Sequence, residues 1–311
     1  MMADEFMGKG KVWLRSRTVA GAVRYQIGNC SELSFSFEQE KKTVPDFTTS
    51  GGGNAKEKSR IKSCSLKAKL YSLKAENIAL AMRGTKATAS LTPVVDEVAV
   101  AAPGALVLLA NLPDPAVALV VESQDGKSAA TWAATTARAA GVYIVPGTPN
   151  GYYYKVTAAG TSGSSAPTFP TTPGATVTDG TITLTNMGKI TKALDVDFTR
   201  TGVGFVMSST AGSCESGRNL LVDYTPRAAN VIEAMTSAGD EYELVFDGLN
   251  EAQSDLPVSL IAYSVVFDPT SGFGWISDDF ASLELTGAVQ SAPEITAAGK
   301  SKFYRVLQAT A

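Results

Sequence analysis

The chain has 311 residues, a length that points to two or three domains, and its 44% hydrophobic and 18% charged content is that of a folded protein. A net charge of -3 supplies no long-range attraction for nucleic-acid phosphates, which argues against a sequence-reading DNA binder. Histidine is absent, which excludes Ser-His and Cys-His nucleophilic catalysis and the usual histidine-bearing zinc sites.

The opening MMADEFMGKGKVWL places acidic residues before any apolar run, unlike a secretion signal. Cys30, Cys64 and Cys214 are odd in number and far apart, and read as reduced small hydrophobes of a cytoplasmic chain. From residue 31, SELSFSFEQE alternates: Leu33, Phe35 and Phe37 take one face and Ser34, Ser36, Glu38 and Glu40 the other, the period of a half-buried strand. Residues 41–60 have no period and read as a long mobile loop. Its Lys41, Lys42, Asp46, Gly51, Gly52, Gly53, Lys56 and Lys58 suit either a plain excursion or a segment that orders against a neighbouring subunit. RIKSCSLKAKLYS is a second alternating strand with Cys64, Leu66, Ala68 and Leu70 inward. SLKAENIALAMRG reads as a helix of roughly three turns, with Ser72 as cap, Ile78, Ala81 and Met82 on one face and Gly84 as its end.

The texture then changes to Ala, Val, Thr, Gly and Pro. Short strands joined by Pro and Gly turns over residues 91–228 predict an inserted β-sandwich of immunoglobulin-like plan without its disulfide. Inside it, residues 160–185 (GTSGSSAPTFPTTPGATVTDGTITLT) carry one charged residue, Asp179, and belong to a nested surface module over 147–189. The most apolar stretch, 98–110, is broken by Pro103-Gly104 and is too short to cross a bilayer. EYELVFDGLN, LPVSLIAYSVVFDP, FASLELTGAVQ and SKFYRVLQ add four strands of the same character as the start, which predicts one discontinuous β-rich domain of residues 1–90 and 229–311.

Catalytic patterns are weak. Ser59-Arg-Ile-Lys62 has Ser-x-x-Lys spacing but bridges a loop and a strand, and GVGF at 202–205 lacks the third glycine of a dinucleotide loop. Glu38, Glu40, Glu241, Glu243, Asp247 and Glu284 sit on polar strand faces, which fits either an ordinary solvated sheet or a surface lining a channel for a polyanion.

The order GKGKVWL, IGNCSELSFSFEQEKK, the glycine-rich segment, KSRIKSCSLKAKLYSLKAENIALAMRG, a large insertion, then EYELVFDGLNEA, SVVFDP, ISDDFASLELTG and GKSKFYRV resembles the tail tube proteins, or major tail proteins, of long-tailed bacteriophages. The resemblance implies a mainly β tail-tube sandwich or barrel with one packed helix, no catalysis and no cofactor or metal. It implies hexameric rings stacked into a tube, with the 41–60 segment between rings and Glu38, Glu40, Glu241, Glu243 and Glu284 facing the lumen. The implied partners are further copies of the chain, a tape measure protein, and tail terminator and tail tip proteins. Double-stranded DNA passes through the lumen without specific binding, there is no membrane insertion, and the implied location is the virion tail, assembled in the host bacterial cytoplasm. The nested segment resembles a surface module of phage virion proteins, with Phe169 and Leu184 where tryptophan is common; Tyr152, Tyr153, Tyr154 and Phe169 are its candidate glycan contacts. The competing class is a carbohydrate-binding β-sandwich acting in surface adhesion.

Overall fold

The structure, a computed structural model, describes residues 5–48, 50, 52–209 and 217–310. It is mainly β and divides into two units, residues 1–87 with 230–311 and residues 88–229. Gly51 and Cys214 lie outside the described residues.

The first unit is built from β1 (Gly8–Ser16), β2 (Tyr25–Gln26), β3 (Cys30–Pro45), β4 (Asn54–Leu70), α1 (Ala75–Ala81), β5 (Thr85–Thr88), β6 (Asn230–Glu233), β7 (Glu241–Asn250), β8 (Leu256–Phe267), β9 (Leu283–Val289) and β10 (Tyr304–Gln308). Eight of the strands form one sheet in the order β2-β1-β7-β8-β9-β4-β3, with β10 also on β8, and β5 pairs with β6 as a separate ribbon. Strand alternation sends Val12, Leu14, Leu66, Ala68, Leu70, Leu244, Leu283 and Leu285 into one core. Each Leu or Val so buried contributes roughly 1.5–3 kcal/mol. The branch strand β10 and the end strand β3 meet through rings instead of backbone: Tyr304 on β10 stacks on Phe35 and Phe37 of β3, at 5.3 and 5.9 Å.

Two local expectations change. The predicted loop over 41–60 is the outer part of a long hairpin, in which β3 and β4 stay paired to Val44↔Lys56 and Pro45↔Asn54. Period detection fails there because both faces are wet. The helix is shorter than predicted, seven residues, and Ser72 does not cap it: the Ser72 hydroxyl accepts the Asn29 N–H instead, at 2.8 Å. Its buried residues are Asn77, Ala79 and Ala81; of the predicted face Ala81 is buried, while Ile78 and Met82 are half-buried. Asn77 is fully buried because its amide donates to the carbonyls of Ile27 (2.7 Å) and Ser72 (2.8 Å), satisfying backbone that would otherwise be orphaned.

In the second unit, a four-stranded sheet (Thr191–Lys192, Val120–Ser123, Asn219–Tyr224, Val94–Val100) and a three-stranded sheet (Phe198–Arg200, Gly204–Met207, Leu106–Leu108) enclose a core of residues such as Val121, Leu220, Val222, Phe198, Phe205 and Met207. The nested module has its own sheet, in the order Thr176–Asp179, Ile182–Lys189, Tyr152–Ala158, Tyr143–Val145, Ala130–Thr131. Its core includes Ile144, with Trp132 and Val142 packed against it, so the module begins well before residue 147, the boundary expected from composition. Asp179, the one charge of the 160–185 segment, is buried: one carboxylate oxygen accepts from Trp132 Nε1 (2.7 Å) and the other from the Gly163 N–H (2.8 Å).

Two outcomes follow from this packing. Asp179→Ala orphans two donors and should lower stability by about 2–4 kcal/mol, read as a fall in the unfolding midpoint. The Ser123 N–H donates to the Ile190 carbonyl at 2.8 Å, so excising residues 124–190 across a short Gly-Ser link should leave a soluble chain. Excising 147–189 strands Trp132 and Ile144 and should yield aggregate, as size-exclusion chromatography of the two variants would report.

Candidate assembly surface

The largest feature that no core explains is the outer half of the β3–β4 hairpin. On β4 the side chains alternate in burial only from Cys64 onward, and residues 54–63 are exposed throughout. What replaces a core is charge. Lys62 Nζ donates to Glu38 Oε1 at 2.9 Å and the Ser63 hydroxyl to Glu38 Oε2 at 3.2 Å. Arg60 Nε donates to Glu40 Oε2 at 2.7 Å, and Lys41 pairs with Glu57 at 3.2 Å. These exposed pairs are individually weak, but they specify cross-strand register where nothing apolar does. The Lys62 hydrogen bond, with that of Ser63, holds the Glu38 carboxyl below the usual carboxylate range.

At the hairpin end, the Asp46 N–H donates to the Gly53 carbonyl at 2.8 Å, and Asp46 Oδ1 accepts the Thr48 N–H at 2.8 Å. Gly52 and Gly53 have φ of 66° and 137°, the left-handed region that excludes most side chains without strain. Directly opposed residues of antiparallel strands share a face, so Val44 with Lys56 and Lys42 with Lys58 form one basic face of the arm. The sequence candidates Lys41, Lys42, Lys56 and Lys58 are therefore on the paired strands of one projecting arm, with Asp46, Gly52 and Gly53 in the turn at its end.

The five lumen candidates are each paired with a cation. Besides Glu38 and Glu40, Glu241 lies 3.6 Å from Arg17 and accepts from the Ser264 hydroxyl. Glu243 is held by Arg15 at 2.5 Å and Arg24 at 2.9 Å, and Glu284 lies 3.5 Å from Lys67. Glu241, Glu243 and Glu284 share the sheet face turned away from the core, since their neighbours Leu244, Leu283 and Leu285 point into it. By register the same face carries Lys9, Lys11 and Arg15 on β1, Lys67 and Lys69 on β4, and Arg305 on β10. It is a face of mixed sign, and its carboxylates do not set its charge alone.

The glycan candidates are mostly interior. Tyr153 and Tyr154 are buried, and the Tyr154 hydroxyl donates to the Pro170 carbonyl at 2.9 Å while accepting from Asn150. Phe169 packs on the Tyr154 ring at 5.0 Å, and Tyr152 is half-buried against the same core. Tyr154, with Tyr152 and Phe169 packed against it, serves the module's own core, Tyr153 is buried beside Tyr143, and the four candidate rings form no exposed platform. Ser59 to Lys62 lie within β4, not at a helix start. Cys64 is buried and Cys30 half-buried, and burial pushes both thiols up. No group of three His, Cys, Asp or Glu among the described residues could hold a metal ion, and no helix there is long and apolar enough to cross a membrane.

One cleft of about 820 Å³ opens in the first unit, at the seam where Tyr304 meets β3, and is lined by residues including Phe6, Val12, Leu33, Phe246 and Val306. Its wall is mixed, with Lys9, Asn29, Glu32 and Gln308 beside the apolar side chains. Sequence reasoning missed this seam, and it also missed the 268–282 connection, where Trp275, Ile276 and Phe280 stand exposed. The signal available for the second was the run GFGWISDDF, in which large apolar residues sit beside glycines and aspartates.

These features define a two-unit, mainly β protein with a projecting, charge-laddered arm. The chain belongs to the family described as "Protein of unknown function UCP028589", whose model matches residues 5–163 and 157–307. No curated protein matches the chain.

Because Glu38 owes its lowered pKa first to Lys62, Lys62→Ala should return its titration toward the ordinary carboxylate range, as carboxyl-carbon NMR would show. The folded value lies below the unfolded one, so the pair's stabilising effect should be present above the unfolded pKa and fade as pH falls through the folded one.

Proposed function

We propose that this chain is a structural subunit of a phage tail tube, forming hexameric rings that stack into the conduit for DNA during ejection. The observation that carries the reading is the arm: 16- and 17-residue strands that run far beyond their core, wet on both faces. A ladder of that length gains little for an isolated monomer, whereas a neighbouring copy would cover it. In this reading the chain has no catalytic role and needs no cofactor, and its tube meets a tape measure protein inside and terminator and tip proteins at its ends. The second unit, with its nested module, is outer decoration of the virion tail. A mixed-sign sheet face at the lumen would offer DNA neither a strong attraction nor uniform repulsion, which suits passage without specific binding. The carbohydrate-binding alternative draws less support, because Tyr153 and Tyr154 are buried, Tyr154 in the module's core.

The test is direct. Purified chain should form rings or tubes of uniform bore by electron microscopy, and dispersed monomers at all concentrations would count against the reading. Replacing residues 42–58 by an Asn-Gly turn between Lys41 and Ser59 should leave circular dichroism and the unfolding midpoint close to those of the full chain while abolishing tube growth.

A further inference from the structure

The first unit carries a second surface whose chemistry is the complement of the arm. Between β8 and β9, the connection 268–282 is rooted firmly: the Asp268 N–H donates to the Thr286 carbonyl (2.8 Å), the Thr270 N–H to the Ala81 carbonyl (2.7 Å), and Arg83 Nε to the Phe267 carbonyl (3.0 Å). Phe273 packs edge-on against Trp275 at 4.7 Å. Beyond that root the segment holds large apolar groups in water, with Trp275 75%, Ile276 97% and Phe280 95% exposed. Asp278 and Asp279 stand exposed among them, and neither has an ion pair among the described residues. The arm presents the opposite combination: Val44 and Phe47, 58% and 88% exposed, beside Lys56 and Lys58, which are exposed and likewise have no ion pair among the described residues.

The positions of the two surfaces are also complementary. Leu283, where β9 begins, pairs with Leu70, the last residue of β4, so the acidic segment enters the sheet at that end. Lys56 and Lys58 lie toward the other end of the same strand. From Lys56 to Leu70 the strand runs on the order of 45 Å at roughly 3.3 Å per residue, too far for one copy's arm face to meet its own acidic segment along the strand. Two complementary patches at opposite ends of one strand make a heterologous pair, which repeats head to tail.

We infer that the 269–281 segment is the acceptor for the arm of a second copy of this chain, with Trp275, Ile276 and Phe280 covering Val44 and Phe47, and Asp278 and Asp279 facing Lys56 and Lys58. The inference rests on the self-assembly reading above, and it adds the receiving surface and the polarity of the stack. Three large side chains on the acceptor amount to roughly 400–600 Å², below the ~800 Å² per partner of a stable isolated pair. The contact therefore suits a repeating assembly, not a free dimer.

The experiment is a charge exchange on the full chain, followed by sedimentation and electron microscopy. Lys56→Glu with Lys58→Glu, and separately Asp278→Lys with Asp279→Lys, should each lose stacked assemblies while keeping the wild-type circular dichroism spectrum. Combining all four substitutions should restore them. A zero-length carbodiimide applied to wild-type assemblies should join Asp278 or Asp279 to Lys56 or Lys58 of another copy, identified by mass spectrometry. If wild type stacks but the double variants stack equally well, the acceptor assignment is overturned and the tube reading stands. The same holds if the quadruple variant fails to recover while folded, or if carbodiimide links the arm elsewhere. Wild-type chain that never assembles overturns both.

Discussion

The structure depends on a single β-ladder that outruns its core. From Cys64 to Leu70, β4 is pinned by alternate side chains that are almost wholly buried, and this inner part fixes the register of β3 against it. The outer part inherits that register and adds no burial of its own. Its side chains therefore have a different task, which is to keep two exposed strands in register with each other. Lysine, arginine and glutamate do this, since opposed charges favour one register and a charged edge discourages pairing with strange strands. The irregularity between Glu38 and Gln39 falls where the buried alternation ends, so the strand can bend as it leaves the body.

How much of this was legible in the sequence depends on whether a segment has one wet face or two. Leu33, Phe35, Leu66, Ala68 and Leu70 alternate with polar residues, and the strands they predict are present. Residues 41–45 and 54–60 are strands too, yet they carry no period because neither face is apolar, and the Gly51–Gly53 run drew the whole stretch toward a loop. The ion pairs that hold it, such as Arg60 with Glu40, are 20 residues apart and are visible only once the turn is known. The helix misread has a similar origin: helical spacing favoured the face of Ile78, Ala81 and Met82, of which Ala81 is buried, but Asn77 joined the buried side through the Ile27 carbonyl, 50 residues away, as well as that of Ser72. The module boundary was misplaced because Ala130–Thr131 and Tyr143–Val145 are too short to signal themselves, and join the sheet only through partners downstream.

Alternation identified polar faces correctly but said nothing of their sign. Glu241 and Glu243 looked like the start of an acidic surface because the sequence shows one strand at a time. In the sheet, Arg15 stands opposite Glu243, and Lys67 reaches both Glu284 and Glu32. Charge on a sheet is a property of the register, not of the strand. A face composed in this way has a short-ranged field, because paired charges cancel beyond a few ångströms and salt screens the remainder. Unpaired groups then stand out, and on this unit they include Lys56 and Lys58 at one end of β4 and Asp278 and Asp279 at the other.

The nested module obeys the same logic with apolar groups. It is short of charge even at exposed positions such as Ser164, Ser165, Thr171, Thr172 and Thr178, and its aromatic residues are drawn inward to make a small core. Tyr154 and Phe169 pack on each other, and Ile182, Leu184, Asn186 and Gly188 face inward from one strand in unbroken alternation. Even the polar members are turned to internal use: Asn186 donates to the Pro170 carbonyl and accepts the Gly188 N–H, so an amide in the core ties a proline-rich excursion to the sheet. Asp179 does the same for Trp132 and Gly163. A module that consumes its own tyrosines, asparagine and aspartate in this manner leaves threonine and serine as its outward chemistry, and such a surface is soluble without attracting its neighbours.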